Sequence, residues 1–185
     1  YENGGGVTVD SSHFTLSAGG RALSIEEVGA GSRGTLIRDN TFTVSPGSHT
    51  DEWAIFLNQG GDADSTVIAG NRATLNGDNS RFVRIFAGSN TDGLGTVRVV
   101  NNAIDGTGLE GLTIEDAQHF DWVSIVHNTL KAVASGNGNA FRSVVINEGV
   151  AAQGTLPVTI ANNIFLGRSG SGDIGIAGVA GDTIQ

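Results

Sequence analysis

Cysteine and methionine are both absent from the 185 residues of this chain. Without cysteine, neither a disulfide scaffold nor a cysteine-ligated zinc site can form. Proline occurs only twice and lysine only once, at Lys131. No apolar run approaches the roughly 18 residues that a membrane span needs. These absences exclude small disulfide-stabilised folds and predict a chain with no membrane span.

The charge balance is acidic, with 19 Asp and Glu residues against 10 Lys and Arg residues and a formal net charge of −9. A chain of that sign is poorly suited to the phosphate backbone of a nucleic acid, so no nucleic-acid partner is expected. Hydrophobic residues make up 38% of the sequence, and the length suits one domain that spans residues 1–185. Glycine, with 29 residues, exceeds twice its usual share of about 7%.

A short sequence pattern recurs along the chain: two apolar positions, a polar pair that ends in Asn, and an apolar residue two positions later. Five copies place this Asn at Asn40, Asn71, Asn102, Asn128 and Asn163, and the steps between them are 31, 31, 26 and 35 residues. An earlier copy has Ser12 in the place of Asn. Repeats of this length are typical of solenoid proteins, in which each copy forms one coil.

A second pattern alternates with the first and consists of a short run of alternating apolar residues that ends in polar ones. Alternation with period 2 and many β-branched residues predicts β-strands. The six copies lie at 22–27, 55–59, 83–87, 112–116, 144–148 and 174–178. The links between strands are rich in Gly, Asn, Asp and Ser, which are typical of tight turns. Each repeat is therefore predicted to be a strand, a short link, a second strand and a long loop.

Stacking of these repeats predicts an all-β fold, a single-stranded parallel β-helix (solenoid) of about six coils. Coils stack at about 4.8 Å, so six of them give a rod roughly 25–30 Å long. Equivalent Asn side chains then lie above one another at a bend, and because each amide both donates and accepts, we expect a hydrogen-bonded Asn ladder. The alternative is an antiparallel sandwich with Asn in its surface turns. The constant offset of Asn from its apolar neighbours favours the solenoid.

The element Ile-x-x-Asn-x-Phe occurs as Ile37-Arg38-Asp39-Asn40-Thr41-Phe42 and again as Ile160-Ala161-Asn162-Asn163-Ile164-Phe165. It resembles the repeat of the right-handed parallel β-helix proteins of the pectin-lyase-like superfamily. The resemblance covers nearly the whole chain and implies a right-handed coil. That superfamily includes pectate lyases, polygalacturonases, phage tailspikes, adhesin passengers and surface-fibre proteins. The resemblance therefore indicates a fold without choosing among these functions.

Polar side chains end the strand of the second pattern in four of the six repeats, and stacking is expected to align them along one edge of the solenoid. These candidate ligand-binding residues are Glu26, Glu27, Asn58, Gln59, Glu115, Asp116, Asn147 and Glu148. Two carboxylates about 5 Å apart, as expected for Asp116 and Glu148, suit a retaining glycosidase pair, a Ca²⁺ site or a pair with one raised pKa. The alternative is a row of solvated strand ends in an acidic protein.

In the lyase branch of the resembled family, catalysis uses Ca²⁺ on clustered acids together with an Arg or Lys base. By their place at this edge, Asp116, Glu148 and Arg142 are the candidate catalytic residues, with Arg84 as a second candidate base, although neither arginine lies in a motif of that branch. The paired-Asp and Arg-x-Lys signatures of the polygalacturonase branch are absent, and an acidic chain suits an anionic polyuronate poorly. The sequence therefore favours a protein that is not an enzyme, with a polysaccharide lyase or glycoside hydrolase as an alternative.

Further acids lie in the predicted long loops. Asp62, Asp64, Asn90 and Asp92 are the candidate Ca²⁺ ligands, because 90–93 resembles half of a calcium loop, although it lacks the final bidentate acid. The sequence requires no cofactor, and Ca²⁺ is the one that it allows. Trp53 follows two acids at the start of a strand and is the aromatic residue best placed to stack on a sugar, with packing in the core as the alternative.

The two terminal repeats contain neither Pro nor Lys in their strands, although these residues commonly block open sheet edges. The chain is therefore expected to be a fragment of a longer β-helix or a subunit that stacks head to tail. The favoured function is an extracellular or cell-surface structural module, such as a fibre, filament or adhesin stalk. Its partner is then another copy or the parent chain. A non-catalytic carbohydrate-binding β-helix with a polysaccharide partner is the alternative.

Overall fold

The structure is a computed structural model that describes residues 6–17, 19–28, 34–45, 52–60, 65–87, 95–133, 141–147, 158–167 and 174–177. The strands are β1 (Val7–Asp10), β2 (His13–Leu16), β3 (Arg21–Val28), β4 (Thr35–Arg38), β5 (Thr41–Val44), β6 (Glu52–Gly60), β7 (Ser65–Ala69), β8 (Arg72–Asn76), β9 (Ser80–Ala87), β10 (Thr96–Val100), β11 (Ala103–Thr107), β12 (Glu110–Glu115), β13 (Trp122–Val126), β14 (Thr129–Val133), β15 (Arg142–Asn147), β16 (Val158–Ala161), β17 (Ile164–Gly167) and β18 (Ile174–Ala177). Within these ranges the helical structure is limited to a 3-10 turn, Ala117–His119.

The strands form three parallel sheets of six strands each, and every repeat contributes one strand to each sheet. The first sheet has the order β1-β4-β7-β10-β13-β16, the second β2-β5-β8-β11-β14-β17, and the third β3-β6-β9-β12-β15-β18. Each strand pairs with the equivalent strand of the next repeat and never with its neighbour in sequence. This is a parallel β-solenoid, so the predicted fold class is confirmed and the antiparallel sandwich is excluded.

Each coil has three strands where the sequence patterns predicted two, because the chain bends inside the Asn pattern. The residue just before each Asn of the pattern, and before Ser12, has a positive φ between 49° and 66°. These bend residues are Ser11, Asp39, Gly70, Asn101, His127 and Asn162. One left-handed residue turns the chain out of the plane of the first sheet and into the second, which splits the predicted strand in two.

The core is a column of apolar side chains enclosed by the three sheets. Ile37, Ile68, Val99 and Ile125 lie opposite one another in the first sheet and are fully buried. Phe42 stacks on Phe14 of the preceding coil, with ring centroids 5.0 Å apart. Inward side chains alternate with outward ones along each strand, which is why the period-2 pattern was visible in the sequence.

The Asn ladder is confirmed and lies at the bend between the first and second sheets. The Oδ1 atom of Asn102 accepts hydrogen bonds from the backbone N–H and from the Nδ2 atom of Asn71, both at 3.0 Å. The Nδ2 atom of Asn102 in turn donates to Oδ1 of Asn128 at 3.0 Å and to the Ile68 carbonyl at 2.9 Å. Asn40, Asn71, Asn102 and Asn128 are buried. The ladder therefore satisfies polar groups that the bend would otherwise leave unpaired in the interior.

Candidate functional site

The predicted polar edge lies on the outer face of the third sheet, and its strands align as expected. Glu26 pairs in register with Asn58, Asn58 with Phe86, and Phe86 with Glu115. Asn147 is half-buried at the end of β15 and lies opposite Ala177. Glu27 and Gln59 are also in register with each other on their strands. The first predicted column is thus present over Glu26, Asn58, Phe86 and Glu115.

Glu115 does not stand free on this edge, because Arg84 of the preceding coil holds its carboxylate. The Arg84 Nε and Nη2 atoms donate to the two carboxylate oxygens at 3.1 and 2.6 Å. The same guanidinium lies over the rings of Phe56 and Phe86, 5.3 and 5.6 Å from the centroids. Arg84 is thus engaged in a bidentate ion pair and in two ring contacts, which fix the side chains of this face relative to one another.

Trp53 was the candidate for stacking on a sugar, with packing in the core as the alternative, and the structure shows it buried. Trp53 is only 3% exposed, and the Arg81 guanidinium of the next coil lies over its ring at 5.2 Å. Its ring is thus covered by a side chain of the neighbouring coil. Trp53 is therefore unavailable for stacking on a sugar ring in this structure.

A second charged cluster lies beside Trp53 and was missed in the sequence. Glu110 is 6% exposed and accepts a hydrogen bond from the Thr113 hydroxyl at 3.0 Å. Its carboxylate also pairs with Arg142 and lies 3.4 Å from Arg81. Arg142, a candidate catalytic base, is thus engaged with a carboxylate. Arg81, Glu110 and Arg142 occupy one register column, so their opposite charges three coils in a row would have indicated the cluster. The predicted columns covered only the strand ends and did not include these residues.

Asp116 lies just beyond β12 with φ 55°, where it begins the 3-10 turn. Burial raises the pKa of its carboxyl above the ordinary value, and the charge of Glu115 adds to that shift, while His119 opposes it. Glu148, its proposed partner, lies outside the described residues, so the predicted carboxylate pair stays a prediction.

The Asn58 side chain is half-buried and lies in register with Phe86, whose ring contacts Arg84. Its Oδ1 atom is enclosed and has no hydrogen-bond partner among the described residues. Glu26, the neighbouring member of the column, is also half-buried. The edge therefore combines Glu26, the unsatisfied amide oxygen of Asn58, the Phe86 ring and a Glu115 carboxylate that is paired with Arg84.

The four candidate Ca²⁺ ligands, Asp62, Asp64, Asn90 and Asp92, all lie outside the described residues. Within the part of the chain that the structure describes, no group of three or more His, Asp or Glu side chains is arranged to hold a metal ion. In that same part, no helix has the length and apolar character needed to cross a bilayer.

The two end faces of the solenoid form a second candidate site. β1, β2 and β3 are outermost in their sheets at one end, and β16, β17 and β18 at the other. The first coil opens on a cavity of about 380 Å³ whose lining includes Val7, Val9, Leu23 and Ile25. Phe14 and Leu16 of the first coil, and Ile160 and Phe165 of the last, are only partly buried against the core. Among the described residues, the core is thus less well covered at both ends than in the middle.

The outer surface of the last coil adds to this apolar end. Ile164 and Leu166 point outward from β17 and are 53% and 54% exposed. The equivalent positions of the preceding coil are Thr129 and Lys131.

Comparisons of the chain with models of protein families, with curated proteins and with solved structures each returned no match.

Proposed function

We propose that this chain is a structural β-solenoid module that assembles end to end, with the last coil of one copy packed on the first coil of the next. The observation that carries the proposal is the pair of incompletely covered end faces, above all the apolar cavity at the first coil. Outermost strands with unpaired backbone groups are templates for pairing with a further strand. The two ends differ in sequence, so the contact is heterologous and extends into a filament.

An extracellular or cell-surface location and a right-handed coil of the pectin-lyase-like kind are parts of the same proposal. The three-strand coils and the Asn at five of the six bends support the second part, because both accompany the sequence resemblance. The enzymatic and sugar-binding alternatives have less support. Trp53 is buried, and the two arginines considered as bases, Arg84 and Arg142, are both paired with carboxylates.

The side of β1 that must pair with another copy follows from the hydrogen bonds of its residues. Alternate residues of a strand present their N–H and C=O groups to opposite sides. The Val9 carbonyl accepts a hydrogen bond from the Asn40 side chain at 3.0 Å, so Val9 faces the second coil. Thr8 therefore presents its N–H to the open side, and its side chain is exposed on the outer face. Proline at position 8 removes a donor that the coil itself does not use.

Sedimentation velocity over a concentration series, with electron microscopy of the same samples, tests the proposal. The unmodified chain is expected to form linear oligomers whose length grows with concentration. Thr8→Pro should remain monomeric and keep an unchanged midpoint of urea unfolding, while Thr8→Val, which retains the N–H, should assemble like the unmodified chain. A chain that stays monomeric at every concentration, or a Thr8→Pro variant that assembles normally, contradicts the proposal.

A further inference from the structure

The Asn ladder has a direction along the solenoid. Each rung donates two hydrogen bonds, one from its backbone N–H and one from Nδ2, to the Oδ1 atom of the next rung toward the last coil. At the last step both bonds run from Asn128 to Asn163, at 2.8 and 3.0 Å. In the opposite direction each rung donates only its second Nδ2 hydrogen, to a backbone carbonyl. Asn163 does so to Ile125 at 2.7 Å.

This direction makes the two ends of the ladder chemically different. At the last coil, neither the backbone N–H of Asn163 nor its second Nδ2 hydrogen has an acceptor among the described residues. At the first coil, Ser12 occupies the rung position and donates its N–H to Oδ1 of Asn40 at 2.9 Å. The Ser12 hydroxyl donates to the Asp10 carbonyl at 3.0 Å and is exposed, so its oxygen lone pairs can accept. One end thus offers donors and the other an acceptor.

We propose that the ladder sets the direction and register of stacking, with Asn163 of one copy donating to Ser12 of the next. This inference rests on the proposed end-to-end assembly and names the contact that orients it. A tail-to-tail contact would place the free donors of two Asn163 residues against each other, which leaves them unsatisfied in a buried junction. Only the head-to-tail arrangement gives each donor an acceptor and continues the three parallel sheets.

Ser12→Asn restores the missing rung and is the sharpest test. The Oδ1 atoms of Asn71, Asn102, Asn128 and Asn163 each accept two bonds from the preceding rung, whereas that of Asn40 accepts one, from Ser12. In Ser12→Asn, the new side-chain amide donates the missing second hydrogen bond to Oδ1 of Asn40 within the same chain. Across the junction, the oxygen of this amide can accept hydrogen bonds from both free donors of Asn163 in the neighbouring copy. Its remaining N–H can donate to the Ile160 carbonyl of that copy, three residues before Asn163, as every other rung does.

We expect Ser12→Asn to lower the concentration at which half of the chains are assembled by at least tenfold, since it adds more than one hydrogen bond at the junction. Ser12→Ala, which removes the acceptor, should raise that concentration about two- to tenfold. Ser11→Asn is the matched control. It makes the same change one residue away, at a bend position with φ 49° that Asn tolerates, and it adds nothing to the ladder.

The measurement is sedimentation velocity across a concentration series for the four proteins, with urea unfolding of the dilute monomers. The inference predicts the order Ser12→Asn tightest, the unmodified chain and Ser11→Asn equal, and Ser12→Ala weakest. Assembly that is indifferent to both Ser12 substitutions overturns the ladder inference and leaves end-to-end stacking in place. A chain that never assembles overturns both. A higher urea midpoint for Ser12→Asn with unchanged assembly also overturns it, because the rung has then formed without orienting the junction.

Discussion

Asn102 shows how one side chain ties three coils together. Its amide accepts from Asn71 on one side and donates to Asn128 on the other, and it also donates to the Ile68 carbonyl. All of these atoms lie in the interior, where water cannot replace a lost partner. The residue before it, Asn101, has the same side chain but is exposed, and it serves only to hold a positive φ of 56°. Two adjacent asparagines therefore have unrelated structural roles.

Asn102→Ala should lower the free energy of unfolding by about 1–3 kcal/mol, because it leaves the Asn71 donors without an acceptor in a buried site. Asn101→Gly should change it by only a few tenths of a kcal/mol, since glycine adopts the left-handed conformation without strain. Urea unfolding followed by circular dichroism checks both. Equal midpoints for the two variants would mean that the buried ladder contributes no more than its exposed neighbour.

At the scale of the element, the bend between the first and second strands is the unit that repeats most faithfully. Six residues hold the same left-handed conformation, and four of them are Gly, Asn or Asp, which adopt it at low cost. His127 and Ser11 are the exceptions. His127 is exposed at its bend with φ 58°, so its side chain gains no burial to offset the strain.

His127→Gly is therefore expected to stabilise the chain by about 0.5–1 kcal/mol. Thr129→Gly, two residues later at the start of β14, is the control and should destabilise it by a similar amount, because glycine in a strand adds conformational entropy to the unfolded chain. Thermal and urea midpoints of the two variants should shift in opposite directions. A loss of stability for His127→Gly would show that the bend does not strain its histidine.

The sequence predicted which residues lie above one another in successive coils better than it predicted the number of strands in each coil. The spacing of Asn40, Asn71 and Asn102 was sufficient for the ladder, since stacking converts a constant offset into contact. The split of each Asn pattern into two strands was not predicted, because a single left-handed residue leaves the apolar alternation on either side intact. Trp53 was a candidate for sugar stacking for a related reason. Its burial involves Arg81, a residue 28 positions away on the next coil, which the local sequence around Trp53 does not reveal.

At the scale of the whole molecule, the solenoid is nearly one-dimensional. Every strand pairs only with the equivalent strands of the adjacent coils. A middle coil is therefore held from two sides and a terminal coil from one. Local unfolding of a terminal coil exposes the core residues of that coil alone. Unfolding of a middle coil also breaks its contacts with the coils on both sides.

Backbone amides of β7–β12 should consequently exchange with solvent more slowly than those of β1–β3 and β16–β18. Hydrogen exchange followed by mass spectrometry of peptides measures this gradient in the dilute monomer. When the concentration is raised until the chains assemble, protection should increase in the terminal coils and stay constant in the middle. Protection that is uniform along the monomer would contradict the one-dimensional description.

The pairing of each strand with its equivalents in the next coil also has a mechanical consequence. The hydrogen bonds between coils run parallel to the long axis of the rod, so tension along that axis pulls directly on one layer of bonds at a time. The layers are arranged in series, and the weakest one yields first. A filament built from such coils should therefore bear compression and sideways load well, and under axial pull it should part cleanly between two coils while the coils on either side keep their shape.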